Sequence, residues 1–222
     1  MPSRLAQKLP RTGSFCLCYN AAMEFLNTFL GSATRAKVLK LFLFNETELF
    51  AMGEIAKRSQ VSRENAQAEV RFLKRLGIIK KDTVVRAGKK VSGYIVDTAN
   101  SHVGALQIFV RDISSTDQTS IVGKLKPAGR IKLIIGTGSF VDDDMGRVDL
   151  LIVGDSLDEK KLQVALRSVE ADLGKELRYA SFLTDEFQYR LTIYDKLIRD
   201  IFDYPHRVFL DKLGVTQSST LG

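Results

Sequence analysis

The stretch VSRENAQAEVRFLKRLG most strongly constrains how this chain can fold, because it carries signals for both ends of one helix. Ser62 is a suitable N-cap, and Gly77 is a suitable residue to follow the last turn. Between them, Ala66, Val70 and Leu73 recur at helical spacing. We therefore predict an amphipathic helix that buries these three side chains.

The opposite side of this helix is basic and polar. Arginine, lysine, asparagine and glutamine side chains can hydrogen-bond to base edges and phosphates, and a helix-turn-helix presents its second helix to the major groove of DNA. The candidate DNA-binding residues on the helix are Arg63, Asn65, Gln67, Arg71 and Lys74.

Further elements surround this helix in the order of a winged helix. GSATRAKVLKLFLF, with Ser32 or Thr34 as N-cap, and AMGEIAKRSQ predict two preceding helices. The segment GIIKKDTVVRAGKKVSGYIVD follows and predicts a β-hairpin that turns at RAGKK. The tip of this hairpin adds three cations suited to phosphate contacts or the minor groove: Arg86, Lys89 and Lys90.

The charge of the chain is unevenly distributed. Residues 33–94 contain 14 Lys and Arg against 6 Asp and Glu, whereas residues 95–222 contain 16 against 19. A basic front half joined to a mildly acidic back half predicts a polyanionic partner for the front half alone.

The phrase LFAMGEIAKRSQVSRENAQAEVRFLKRLGIIKK resembles the winged helix-turn-helix of bacterial and archaeal transcription regulators, over about residues 25–97. The resemblance implies double-stranded DNA as the partner. Because one winged helix covers only a short half-site, and pairing two of them multiplies affinity, we also expect a homodimer.

The back half has an α/β pattern, which makes the expected fold class α+β. RIKLIIG and RVDLLIVGD predict apolar strands, and DEKKLQVALRSVEADLG predicts a helix. The pattern continues with a third strand in KELRYASFL and a largely helical segment for which Thr184 is the expected N-cap. HRVFLDKLG predicts a last short strand. We expect a small domain with a mixed sheet.

A glycine-rich turn, Gly136-Thr137-Gly138-Ser139, follows the first of these strands, and Asp149 lies on the next. With VDLLIVGD, ADLGKELRYASFLTDEFQYRL and DYPHRVFLDKLG, residues 130–212 resemble regulators that carry a minimal nucleotidyltransferase domain behind a winged helix. That resemblance implies that Gly-Ser holds phosphates in active members. It also implies that an Asp-x-Asp pair and a third acid bind the metals.

The chain departs from this pattern at the acids. The Asp-x-Asp pair reads Arg147-Val148-Asp149, and Arg178 stands at the position assigned to the third acid. Two-metal phosphoryl transfer needs clustered carboxylates, whereas arginines repel a metal. We therefore expect no enzymatic activity, no metal and no cofactor. We interpret the acids of the loop 142–144 as solvated, and Arg147 is a candidate ion-pair partner of Asp149.

A site without catalysis can still bind a phosphate. Backbone N–H groups of the turn and two arginines predict an anion site for a nucleotide effector, although the domain can equally serve only in dimerisation. The residues of this candidate site are Gly136, Gly138, Ser139, Arg147, Asp149 and Arg178.

The remaining segments complete the expected organisation. No apolar run approaches the ~20 residues that span a bilayer, and we expect a cytoplasmic protein with no membrane partner. Cys16 and Cys18 are interpreted as free thiols. The predicted units are a disordered or non-native extension at 1–22, a winged helix at 23–97, a helical connector at 98–129, the degenerate nucleotidyltransferase-like domain at 130–214 and a flexible tail at 215–222.

Three functions are consistent with these patterns. The first is a DNA-binding transcription regulator whose second domain is not catalytic. The second is a metal-dependent nucleotidyltransferase, of an antitoxin-like kind, that a winged helix directs to its target. In the third, the winged helix binds a protein, and partner binding would then be insensitive to salt.

Overall fold

The computed structural model describes residues 20–113, 118–141 and 148–216, without the side chains of residues 20–24 and Arg86. These ranges form nine α-helices, a two-stranded sheet and a mixed four-stranded sheet, so the fold is α+β. Among the described helices, none combines the length and the apolar character needed to cross a membrane. The predicted extension, apart from residues 20–22, and residues 217–222 of the predicted tail lie outside the described ranges.

The first unit contains five helices and a hairpin around one apolar core. In chain order they are α1 (Asn20–Phe29), α2 (Ala33–Leu43), α3 (Met52–Ser59), α4 (Arg63–Arg75), β1 (Ile79–Arg86), β2 (Lys89–Val96) and α5 (His102–Ile113). Helix α1 begins ahead of Met23, the predicted start of this domain. The predicted order of helices and hairpin is confirmed.

Both predicted ends of α4 are confirmed. The Ser62 hydroxyl accepts a hydrogen bond from the Asn65 backbone N–H at 3.2 Å, and Gly77 takes the left-handed φ of +69° that follows many helices. Ala66, Val70 and Leu73 are buried, as predicted.

An ion pair attaches α4 to α2. The Arg35 guanidinium lies 2.8 Å from the Glu69 carboxylate and 4.0 Å from the centre of the Phe72 ring. Both contacts lie on the side of α4 that faces the core. The basic side chains of the opposite face take no part in this packing.

Strands β1 and β2 are joined by a two-residue turn at Ala87 and Gly88, with φ values of +47° and +76°. Positive φ at both positions matches the twist of a hairpin. Behind the hairpin, Phe50 exchanges two backbone hydrogen bonds of 2.9 Å with Tyr94. Gly93 is required there, because a Cβ atom would lie 2.5 Å from the Phe50 carbonyl oxygen.

The predicted connector divides between the two units. Val103 and Val110 of α5 belong to the core of the first unit, whereas Ile121 and Leu125 of α6 (Gln118–Leu125) belong to that of the second. A short 3₁₀ turn at Lys126–Ala128 then leads into the sheet. The connector is thus helical where it is described, but it is not a separate body.

The second unit is a sheet covered by helices on both faces. Its remaining elements are β3 (Arg130–Gly136), β4 (Leu150–Asp155), α7 (Glu159–Leu173), β5 (Tyr179–Leu183), α8 (Thr184–Thr192), α9 (Lys196–Asp203) and β6 (Arg207–Asp211). The strand order is β5-β4-β3-β6, with β4 and β5 parallel and the other pairs antiparallel. Helices α6 and α7 cover one face, and α8 and α9 cover the other.

The predicted last helical segment is largely helical, but its predicted N-cap is wrong. Thr184 is the first residue of α8 rather than its N-cap, because β5 runs directly into the helix and the Thr184 hydroxyl donates to Asp155 at 2.6 Å. The segment also forms two helices. Tyr194 takes a left-handed φ of +54°, and the Asp195 carboxylate then caps α9.

The two units pack against each other where α2 and α3 meet α7. Gly174, at the end of α7, has a φ of +78°, and a Cβ atom there would lie 2.6 Å from the Lys40 carbonyl carbon. The Asn45 amide donates to the Gly174 carbonyl at 2.7 Å. A glycine is therefore needed for this close approach.

Three lysines surround a single acid beside this glycine. Lys40, only 2% exposed, donates to the Asp172 carbonyl at 3.0 Å, while Lys37 and Lys124 pair with the Asp172 carboxylate. Burial, together with the other lysines, lowers the pKa of Lys40 to about 8 and that of Lys124 to about 8. Nothing in the sequence patterns predicts this junction.

Candidate nucleic-acid interface and the glycine-serine turn

The basic and polar side of α4, which we predict to contact DNA, is exposed along the whole helix. No ion pair among the described residues involves the basic side chains of this face. The five exposed residues are Arg63, Asn65, Gln67, Arg71 and Lys74.

Other cations of the first unit are held by internal contacts. Arg35 pairs with Glu69, Arg58 pairs with Glu48 at 3.0 Å, and Lys40 is buried at the junction. The basic surplus of the sequence is therefore not all available to a partner. The cations on the exposed face of α4 lie in no ion pair with an acid of the described part of the chain.

The hairpin tip also presents cations. Lys89 and Lys90 are exposed on β2, directly after the two-residue turn. The side chain of Arg86 is outside the described part of the chain. Lower on the hairpin, Lys80 pairs with Asp97 at 3.1 Å.

The glycine-serine turn is a tight structure built around Asp149. Gly138 has a φ of +50°, and a Cβ atom there would lie 2.3 Å from Asp149 Oδ1. A Cβ atom at Gly136 would lie 2.5 Å from the Phe209 ring. Both glycines are thus explained by packing within the protein.

Asp149 is 2% exposed, and its carboxylate accepts five hydrogen bonds. Ser139 donates its backbone N–H and its hydroxyl to Oδ1, each at 3.0 Å. Arg178 donates its backbone N–H and Nε to Oδ2 at 2.9 and 3.0 Å, and Nη2 to Oδ1 at 3.3 Å. Burial alone would raise the pKa of Asp149, but these hydrogen bonds outweigh burial and hold it below the ordinary value.

The neighbouring N–H groups of the turn also have acceptors within the protein. Those of Thr137, Phe140 and Val141 donate to backbone carbonyls at 2.9 to 3.0 Å. Ser139 donates to Asp149. Of the N–H groups that we expected to hold a phosphate, those of Thr137 and Ser139 are therefore already engaged in maintaining the turn.

The part of the site that the structure describes does not fit a catalytic metal pair. Arg178 binds both oxygens of Asp149, so a divalent cation would have to displace a guanidinium and two N–H donors. The described residues contain no group of three His, Cys, Asp or Glu side chains that could hold a metal. Arg147 and the acids of the loop 142–144 lie outside the described ranges.

Sequence reasoning proposed Arg147 as the partner of Asp149 and did not foresee Arg178 in that role. Arg178 immediately precedes β5, which lies parallel to β4, so the two side chains meet at the same edge of the sheet. The signal that could have found this pair is the parallel order of the two strands.

No family model, no curated protein and no solved structure matches this chain.

Proposed function

We propose that the chain is a cytoplasmic, homodimeric transcription regulator that binds double-stranded DNA through a winged helix. Helix α4 would enter the major groove, and the β1–β2 hairpin would be the wing. The second unit would be a non-catalytic relative of the nucleotidyltransferases that serves in assembly or sensing.

The observation that carries this proposal is the exposed face of α4. Its arginines and lysine have no internal acid, whereas Arg35 and Lys37 on α2 and Arg58 on α3 do. Exposed cations without an internal acid favour binding to an external anion such as a DNA phosphate. The asparagine and glutamine beside them can hydrogen-bond to base edges. The exposed Lys89 and Lys90 on the hairpin add a second region for phosphates.

The state of Asp149 supports a non-catalytic second unit. A carboxylate that already accepts five hydrogen bonds, two of them from the guanidinium of Arg178, acts as a structural centre for the turn. The metal-dependent nucleotidyltransferase would need a different acid cluster. A nucleotide effector at this turn remains a prediction.

Fluorescence anisotropy with a labelled duplex pool of about 30 base pairs, long enough for two half-sites, tests the proposal. Measured at about 50 and 200 mM salt, the affinity of a protein with several phosphate contacts falls at least about tenfold. We expect the double variant Arg63→Glu/Arg71→Glu to lose binding and to keep the circular dichroism spectrum of the parent.

The matched control is Lys160→Glu/Lys196→Glu, which makes the same change in net charge at exposed positions of the second unit. It should bind DNA nearly as the parent does. Equal binding by the two double variants would refute the assignment of α4. Binding of a protein partner that ignores salt would instead favour an interaction module, and magnesium-dependent transfer from ATP would favour the enzyme.

A further inference from the structure

A cleft of about 320 Å³ lies at the junction of the two units, between α3 and α7. Its size is within the range of small-molecule sites, which occur preferentially where structural units meet. The glycine-serine turn is on another part of the second unit, so this cleft is separate from the predicted nucleotide site. Its walls are both apolar and charged.

The apolar part of the wall is formed by Leu41, Leu49 and Phe50. Phe50 is held in place by the Arg58 guanidinium, 5.0 Å from the centre of its ring, and by its backbone pairing with the hairpin. Each of these three side chains is only 2% exposed, so they form a rigid floor, and most of the surface open to a ligand belongs to the residues around them.

The acids that line the cleft are engaged within the protein. Glu48 and Glu176 both pair with Arg58, at 3.0 and 3.6 Å. Glu54 accepts from the N-cap residue of α3 at 2.7 Å, and Glu170 accepts from a backbone N–H just before β5 at 2.9 Å. Arg58 thus offsets part of the charge of Glu48 and Glu176, and backbone N–H groups bind Glu54 and Glu170 within the protein.

The cations on the wall differ in this respect. Lys57, Arg167 and Lys175 line the cleft, and none of them forms an ion pair among the described residues. Lys57 comes from the first unit, whereas Arg167 and Lys175 come from the second. An anion between them would connect the two units by charge-assisted hydrogen bonds.

We propose that this cleft binds a small organic anion with an apolar body and one carboxylate-like group. The body would lie over the floor formed by Leu49 and Phe50, against the side chains that surround it, and the anionic group would face Lys57 and Arg167. Because α3 packs on both α4 and α7, such a ligand would contact the helix that supports the proposed reading helix. We expect this contact to change the affinity for DNA. That regulatory effect rests on the proposed DNA-binding function, whereas ligand binding itself does not.

Three probes with one naphthyl body test the charge preference of the cleft: 1-naphthoate, 1-naphthalenemethanol and 1-naphthylmethylamine. Isothermal titration of the full chain should give saturable binding of naphthoate and weaker binding of the neutral and cationic probes. A preference for the amine would overturn the proposal, as would the absence of saturable naphthoate binding.

The variant Lys57→Glu/Arg167→Glu should weaken naphthoate binding by about tenfold or more, as expected for the loss of charge-assisted contacts. The control Lys160→Glu/Lys196→Glu should leave it unchanged. Equal losses in the two variants would show that only net charge matters and would overturn the site. Parent-like binding in both would do the same.

Duplex binding measured with and without saturating naphthoate tests the regulatory part. A changed affinity for DNA supports it, and an unchanged affinity overturns it while leaving the binding site in place. If the chain binds no DNA at all, titration of the probes still decides whether the cleft is an anion site. Failure of the proposed function and failure of this inference are thus distinguishable.

Discussion

Replacing Lys40 with methionine should stabilise the protein at pH 7. Lys40 is 2% exposed and lies in the junction with two other lysines, Lys37 and Lys124, around the single acid Asp172. Burial lowers its pKa from 10.5 to about 8. Methionine has a similar length and carries no charge that has to be buried.

The magnitude follows from that pKa. Each pKa unit corresponds to about 1.4 kcal/mol. A shift of the Lys40 pKa from 10.5 to about 8 therefore means that keeping Lys40 charged in the folded state costs about 3 kcal/mol of stability. The hydrogen bond that Lys40 donates to the Asp172 carbonyl is lost in the variant. We therefore expect the free energy of unfolding to rise by about 1–3 kcal/mol, as for other replacements of buried ions.

The pH dependence gives a second measure of the same charge. Between pH 8 and 10.5 the unfolded chain keeps the Lys40 proton while the folded chain loses it, so stability rises with pH in that window. Below pH 8 both states hold the proton and this contribution is constant. The variant should show a shallower rise than the parent, with Lys124 accounting for much of what remains.

Urea unfolding followed by circular dichroism at pH 7 and at about pH 9.5 measures both effects. The control is Lys37→Met, one turn away on α2, where the side chain is 29% exposed and the expected change is within about 1 kcal/mol. A Lys40→Met protein that is less stable than the parent at pH 7 by more than about 1 kcal/mol would refute this reasoning. The reasoning would also be refuted if the free energy of unfolding rose between about pH 7 and 9.5 by the same amount in the variant and in the parent.

Three further predictions test the junction, the turn and the wing. Gly174→Ala should lower the free energy of unfolding by at least about 2 kcal/mol in urea, because its Cβ atom would overlap α2. Asp149→Asn should lower it by about 1–3 kcal/mol, because a neutral amide replaces a buried carboxylate that accepts five hydrogen bonds, and should remove part of the loss of stability that the parent shows as pH falls below about 4. Lys89→Glu/Lys90→Glu should weaken duplex binding and reduce its salt slope by about 2, which anisotropy at several salt concentrations measures.

Local signals predicted α2, α3, α4 and the hairpin of the first unit, because the determining contacts are close in sequence. Ser62 caps a helix that begins at the next residue, and Gly77 ends it. The turn at Gly88 joins adjacent strands. In each case, one side chain or one backbone angle within a few residues decides the structure.

Local sequence signals could not predict contacts between segments that are distant in the chain. Gly174 reads as an ordinary helix terminator, and its approach to Lys40 exists only after the two units pack. The break at Tyr194 was missed because tyrosine seldom takes a left-handed φ, although Asp195 after it is a good cap. The charge of Lys40 appeared in the sequence as part of a surface for polyanions, whereas it is buried.

Cations that are paired within the protein must be distinguished from exposed cations before charge can indicate a function for this chain. The surplus over residues 33–94 combines cations that stabilise the fold with cations that remain exposed, and the sequence cannot separate them. Arg35 and Arg58 lie against acids and aromatic rings, so their positive charge is largely offset within the protein. Arg63 and Arg71 are exposed on one helix with no such partner. The case for DNA binding therefore rests on these few unpaired side chains and their common face, rather than on the net charge of +7.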